Sequence, residues 1–326
     1  MTLEDDYNAL TPDIILQAVD SVGFQTSGRM LALNSYENRV YRVEQEQDVP
    51  LVVKFYRPAR WSDEAILEEH DFAQALAAEE IPVVAPMVLA SETLLQFGGY
   101  RFALYPMQGG RWPDLEYSED RVWMGRFIAR IHAVGKRQSF QHRQAISIQR
   151  QGREAADYLL TNGFIPGHLE PAYQTLVADL LQSVTRCFDQ AGGLRILRLH
   201  GDCHRGNVLW TDRGPHFVDL DDCCNGPAMQ DLWMLLSGER PEMTVQMIDL
   251  LEGYSEFAAL DLTEMHLIEA LRTLRMMHYA SWLATRWRDP AFPQAFPWFD
   301  TTQYWEQHVL ELREQLARLQ EPVLTV

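Results

Sequence analysis

The apolar pattern of this chain changes period once, and that change limits the fold more than any other feature. Up to the stretch Pro106-Met107-Gln108-Gly109-Gly110, strand-like runs dominate, near 24–33, 39–44, 51–57, 92–97 and 100–106. Beyond it, apolar residues recur at helical spacing over 118–134, 171–190, 228–237, 242–258, 262–287 and 302–320. A short β-like island, 194–219, interrupts the helices. Strands gathered first and helices afterwards predict an α+β chain, because a doubly wound parallel sheet needs the two to alternate. The expected organisation is a small β-rich N-terminal lobe over 1–107 and a larger, mainly helical lobe over 108–326, with a cleft between them. Local signals agree. Thr11-Pro12-Asp13 starts a helix that Gly23 stops, Ser62 can cap a second, and Gly98-Gly99 suits a tight hairpin turn.

Charge narrows the classes of partner. The 326 residues carry a formal net charge of −18, which argues against a nucleic-acid surface and against docking on anionic lipid. A polyanionic ligand would need local cations or a metal. A cationic small molecule or a basic peptide would be favoured by overall charge alone. No run of uncharged apolar residues is long enough for a membrane span, and the acidic start Met1-Thr2-Leu3-Glu4-Asp5-Asp6 does not read as a signal peptide, so the cytoplasm is the expected location. Cys187, Cys203, Cys223 and Cys224 follow no disulfide spacing and suit a reducing compartment. Oxidation of Cys203, Cys223 or Cys224 as a switch would require an exposed thiol of lowered pKa. Lys54 and Lys136 are the only lysines. Lys54 lies within Leu51-Val52-Val53-Lys54-Phe55-Tyr56, where a charge is costly without a partner.

The densest chemistry is in Leu199-His200-Gly201-Asp202-Cys203-His204-Arg205-Gly206-Asn207-Val208-Leu209-Trp210. An acid is followed five residues later by an asparagine that opens an apolar strand. A four-residue loop between them lets one side chain address a nucleophile and the other the phosphates. Thr211-Asp212-Arg213-Gly214-Pro215 reads as a turn, and His216-Phe217-Val218 as a return strand ending at Asp219. Hard oxygen donors of this kind suit Mg2+. The spacing points to phosphoryl transfer.

With these motifs the chain resembles the aminoglycoside phosphotransferase and choline kinase group of protein-kinase-like folds, and more closely the bacterial stress response kinase A family of cytoplasmic Ser/Thr protein kinases. The closer resemblance rests on Leu33-Asn34-Ser35-Tyr36-Glu37-Asn38-Arg39-Val40-Tyr41, Val52 to Pro58, Ile66-Leu67-Glu68-Glu69-His70, Phe217 to Asp222 and Gln230 to Leu236. Phe292-Pro293 and Phe296-Pro297-Trp298 add to it. It implies a bilobal kinase fold and an ATP- and Mg2+-dependent kinase acting on a protein or peptide hydroxyl; a monomer is the default expectation. Asp202 would be the catalytic base or hydroxyl-positioning acid, with Asn207 and Asp219 the metal ligands. Ser35 would touch the phosphates of ATP. Lys54 would bind its α/β-phosphates and pair with an acid on the next helix, Glu69 or alternatively Glu68. Residues 24–43 lack the G-x-G-x-x-G of protein kinases, so phosphate contact there would rest on the stretch from Asn34 to Arg39.

Three readings stay open at this level: a Ser/Thr protein kinase, a small-molecule kinase acting on an amino alcohol, aminoglycoside or sugar, and a nucleotide-binding pseudokinase. Around the central motif, His200 and His204 read as loop supports and His132 as a packed histidine. Asp231, opening an apolar helix, reads as an anchor for the catalytic loop.

Overall fold

The computed structural model describes Tyr7 and residues 9–326; the acidic start lies outside them. The chain divides into two compact units. One runs to Leu115 and also takes in Phe140–Arg143 and His204–Cys223. The other comprises Glu116–Ser139, Gln144–Cys203 and Cys224–Val326.

The first unit is built on a five-stranded antiparallel sheet in the order β1-β2-β3-β5-β4, from Thr26–Ala32 (β1), Arg39–Gln45 (β2), Leu51–Phe55 (β3), Leu95–Phe97 (β4) and Tyr100–Pro106 (β5). Strand alternation sorts β3 into two faces. Leu51, Val53 and Phe55 pack with Ile15, Ala18 and Val19 of helix α1, Pro12–Asp20. Lys54 lies on the opposite face, in register with Ala103 of β5. Helix α2, Asp63–Ala78, starts at Ser62, whose hydroxyl accepts from Ala65 N–H at 3.2 Å. Gly98 and Gly99 both have positive φ, 58° and 85°, as the β4–β5 turn requires.

The same unit holds the hairpin of β7, Val208–Thr211, and β8, Gly214–Phe217, which follows β6, Leu197–Leu199. Phe217 exchanges backbone hydrogen bonds with Pro82 and Val84, and Trp210 with Arg111. The Pro- and Gly-rich connections are therefore partners of this hairpin rather than loose linkers. At Gly110 a Cβ would meet that of Leu209 at 2.8 Å.

The second unit is mainly helical: α3 (Ser118–Gly135), α4 (Ala155–Thr161), α5 (Glu170–Ala191), α6 (Met229–Trp233), α7 (Arg240–Ser255), α8 (Ile268–Arg286), α9 (Ala291–Ala295) and α10 (Thr302–Arg318). It also contains β6, paired antiparallel with β9, Cys224–Gly226. Helices α3 and α7 meet backbone to backbone. A Cβ on Gly125 would sit 2.0 Å from the Leu250 carbonyl oxygen, and one on Gly253 1.9 Å from that of Val122. A second core joins α4, α5, α8 and α10 through Leu159, Tyr173, Leu180, Met277, Leu283 and Trp305.

Two helices are shorter than their apolar spacing suggests. The run 228–237 is helical only over Met229–Trp233. The run 262–287 begins with a 3-10 turn, Leu262–Leu267, before α8. Asp261 starts that turn by accepting from Thr263 N–H at 3.0 Å, and the turn buries Glu264, whose carboxylate accepts from Met229 N–H at 2.8 Å. Among the described residues no helix is long and apolar enough to cross a membrane.

Candidate active site

In the first unit, Lys54 is the centre of a buried charge cluster. Its ammonium donates to Glu69 Oε1 at 3.1 Å, lies 3.0 Å from Asp221 Oδ1, and is 3.7 Å from Asp219 Oδ1. Burial alone would lower the lysine's pKa, but Asp221 and Glu69 outweigh it and hold the group protonated. Burial likewise acts to raise the Asp221 carboxyl, yet Arg60, Lys54 and Arg143 overcome that and keep it well below the usual carboxylate range. Glu69 is pushed up by burial, with Lys54 opposing.

Adjacent acids on α2 have separate tasks. Glu69 faces Lys54. Glu68 accepts from three successive backbone N–H groups, Gln141 at 2.6 Å, His142 at 2.9 Å and Arg143 at 3.0 Å. That grip places the Arg143 guanidinium, which donates to the carbonyls of Cys223 at 3.0 Å and of Asp221. Arg60 binds both Asp221 and Asp222, the latter at 2.6 Å. The segment after Asp219 is thus fastened by two arginines that the motif does not contain. A hint of them lies in the scarcity of lysine: beside Lys54, further buried cations here are arginine, and Arg57 and Arg60 closely follow the Lys54 strand.

Asp219 itself is set apart. Its backbone is left-handed, φ 59° and ψ 65°, which a non-glycine residue seldom adopts. Its side chain is 53% exposed. Across the hairpin, Val218 N–H donates to the Asn207 carbonyl at 3.0 Å, so Asn207 sits opposite the residue that precedes Asp219. These are hard oxygen donors of the kind Mg2+ takes. Among the described residues no group of three or more His, Cys, Asp and Glu gathers as a metal cage. Mg2+ does not need one, since it uses one or two carboxylates with substrate oxygens and water.

Ser35 lies half-buried in the β1–β2 loop. In place of glycines, arginine contacts hold that loop. Arg57 N–H donates to Asn38 Oδ1 at 3.1 Å, and the Arg57 side chain donates to the carbonyls of Glu37 at 2.9 Å and Tyr36 at 3.3 Å. Asn38 is therefore a structural member of the loop.

In the second unit, β6 delivers the chain to His200, Gly201 and Asp202. Asp231, at the start of α6, accepts from the backbone N–H of His200 at 2.9 Å and of Gly201 at 2.8 Å. Its Oδ2 also lies 3.1 Å from His132 Nε2, and His132 Nδ1 is 2.9 Å from the Tyr254 hydroxyl on α7. Gln230 donates to the Gly201 carbonyl at 2.9 Å. Gly201 has φ 84°, which lets the loop turn there. The Asp202 carboxylate receives Arg275 Nη1 of α8 at 2.6 Å. The division between units falls between Cys203 and His204, so Asp202 belongs to one unit and Asn207 with Asp219 to the other.

The thiols of Cys203 and Cys223 do not suit redox sensing. Cys203 and Cys223 are buried, and burial raises both pKa values, that of Cys223 to about 12.

Residues 30–267 match the phosphotransferase enzyme family, and the chain belongs to it. Within that class it is a homologue of stress response kinase A: it is 42% identical to the protein of that name from Escherichia coli over 98% of this chain and 96% of the relative. It is 41% identical, with the same coverage, to the serine/threonine protein kinase RdoA of Salmonella typhimurium. In fold it is similar to amicoumacin kinase (TM-score 0.74, 18% identity, covering 94% of this chain and 93% of that one). A microcompartment-associated aminopropanol kinase (TM-score 0.71, 18% identity, 95% and 98%) and a spectinomycin phosphotransferase (TM-score 0.67, 14% identity, 93% and 98%) share it too.

Proposed function

We propose that this protein is a cytoplasmic, monomeric Ser/Thr protein kinase that transfers the γ-phosphoryl group of ATP to a protein hydroxyl. The observation that carries phosphotransfer is Lys54, a buried ammonium within 3.7 Å of both Glu69 and Asp219. A cation held in place this way meets the α/β-phosphates without reorganising. Ser35 and the backbone of the arginine-held β1–β2 loop contact the phosphates. Asn207 and Asp219 hold Mg2+, which would neutralise charge on the transferring group. Asp202 orients the acceptor hydroxyl for in-line attack and accepts its proton. Protein as the acceptor is supported by 41% identity over 98% of the chain to a relative named as a serine/threonine protein kinase.

Labelled ATP tests both parts. Transfer to the enzyme itself and to a generic Ser/Thr protein is expected, with dependence on added Mg2+. Transfer only to amino alcohols or aminoglycosides would replace the protein-kinase reading. Nucleotide binding without any transfer would remove both.

A further inference from the structure

The acid assigned to the acceptor hydroxyl does not stand alone. Arg275 Nη1 lies 2.6 Å from Asp202 Oδ1, with the arginine side chain 42% exposed and the aspartate 20%. The guanidinium is thus open to an incoming molecule while bound to the group that would meet the hydroxyl. It comes from α8, whose sequence carries three arginines, Arg272, Arg275 and Arg286, against one acid, Glu269. That acid is engaged by Arg272 at 3.2 Å and by Gln315 at 2.8 Å. Asp231, behind the loop, is buried and spent on two backbone N–H groups and His132. Within a chain of net charge −18, the element beside the proposed acceptor acid is positive.

We propose that Arg275 is a positioning and acceptor-selecting residue: it holds Asp202 in orientation and rejects acceptors with a positive charge next to the reacting hydroxyl. This rests on the assignment of Asp202 to the acceptor hydroxyl, and it deepens the protein-kinase reading by naming the substrate class. The favoured acceptor is a Ser or Thr flanked by an acidic or neutral residue. Amino alcohols and polyamine sugars, which carry an ammonium a few ångströms from the hydroxyl, are disfavoured. The local guanidinium therefore overrides the preference for basic partners that bulk charge suggests. A unit charge a few ångströms away across partly hydrated protein changes kcat/KM by about tenfold. An anchor role needs both the carboxylate contact and the charge, so lysine substitutes in part and glutamate reverses the preference.

The test uses the full-length protein with Mg2+ and ATP and three serine peptides differing only in the residue beside the serine: glutamate, alanine or lysine. A second series compares glycerol with ethanolamine. Wild type is expected to rank the peptides glutamate, alanine, lysine, with steps of about tenfold that shrink in high salt. R275E is expected to invert the order and R275K to preserve it. A residue with a purely structural role would lower kcat for all peptides equally. Peptide transfer with no charge order, or an order unchanged in R275E, overturns the role of Arg275 and leaves the protein-kinase reading standing. Transfer to alcohols but to no peptide overturns the protein-kinase reading; the alcohol series then decides on Arg275, since preference for ethanolamine over glycerol refutes it and the reverse supports it. Transfer to no acceptor at all overturns both.

Discussion

The two units hold their candidate functional groups by different means. Around Lys54 the charged groups are buried and neutralise one another: Lys54, Arg60 and Arg143 surround Glu69 and Asp221. Around Asp202 the support is mostly backbone hydrogen bonding to a single carboxylate, Asp231, and Asp202 itself is partly exposed beside a half-exposed arginine. The first arrangement couples function to stability, because any removed charge strands another in a dry environment. The second separates them.

The strongest test of that separation is D202N; D219N joins it because the Asp219 side chain, 53% exposed, stands outside the buried set around Lys54. Each is expected to lower turnover by at least about a thousandfold while unfolding free energy changes by no more than about 1 kcal/mol, since both acids are solvent-accessible. Asparagine also tolerates the left-handed backbone at Asp219. Phosphotransfer assays paired with urea denaturation would check this, and near-wild-type turnover in either variant would remove the assigned roles. D221A should behave in the opposite sense. It leaves Lys54 and Arg60 buried without that carboxylate and should cost about 3–5 kcal/mol; a loss below 1 kcal/mol in the same urea titration would contradict the picture of a stability-coupled half.

A smaller effect is expected for D231A, about 1–3 kcal/mol, because two backbone N–H groups lose their acceptor. Hydrogen exchange should then quicken at His200 and Gly201 specifically. A comparable effect is spread over pH. Burial raises the Glu264 carboxyl from its ordinary 4.5 to about 7. The folded protein therefore keeps a proton that the unfolded chain has released. Its contribution is complete below about pH 4.5 and is lost as pH rises through 7, by about 3 kcal/mol. E264Q keeps an oxygen to accept from Met229 and should flatten that part of the stability profile. Identical slopes for wild type and variant would show that Glu264 titrates normally.

Element type and order were readable along the chain because they depend on local period. Ser62 as a cap, the Gly98-Gly99 turn and the β7–β8 hairpin all announce themselves within a few residues. The departures have local causes too, such as Asp261 converting the start of an apparent long helix into a 3-10 turn. The arginine fastenings were not readable. Arg60 meets Asp221 across 161 positions and Arg143 meets the Asp221 carbonyl across 78, and no spacing rule links residues that far apart. Arg275 was hidden for the same reason: it lies 73 positions from Asp202, on a helix whose apolar period draws attention to its buried side. Glu68 and Glu69 show the limit most sharply. They are neighbours of one residue type, and only the angle of α2 tells them apart.

The glycines where α3 and α7 touch bear on how such a sequence can drift. A glycine inside a helix is ordinarily a weak point, and alanine there adds about 1 kcal/mol. At Gly125 and Gly253 that improvement is closed off, because one methyl group would force the helices apart. The same two helices carry His132 and Tyr254, which brace Asp231 and so the loop of Asp202. Two missing methyl groups thus act as a ruler for the Asp202 loop, and lineages that keep that loop are expected to keep the gap.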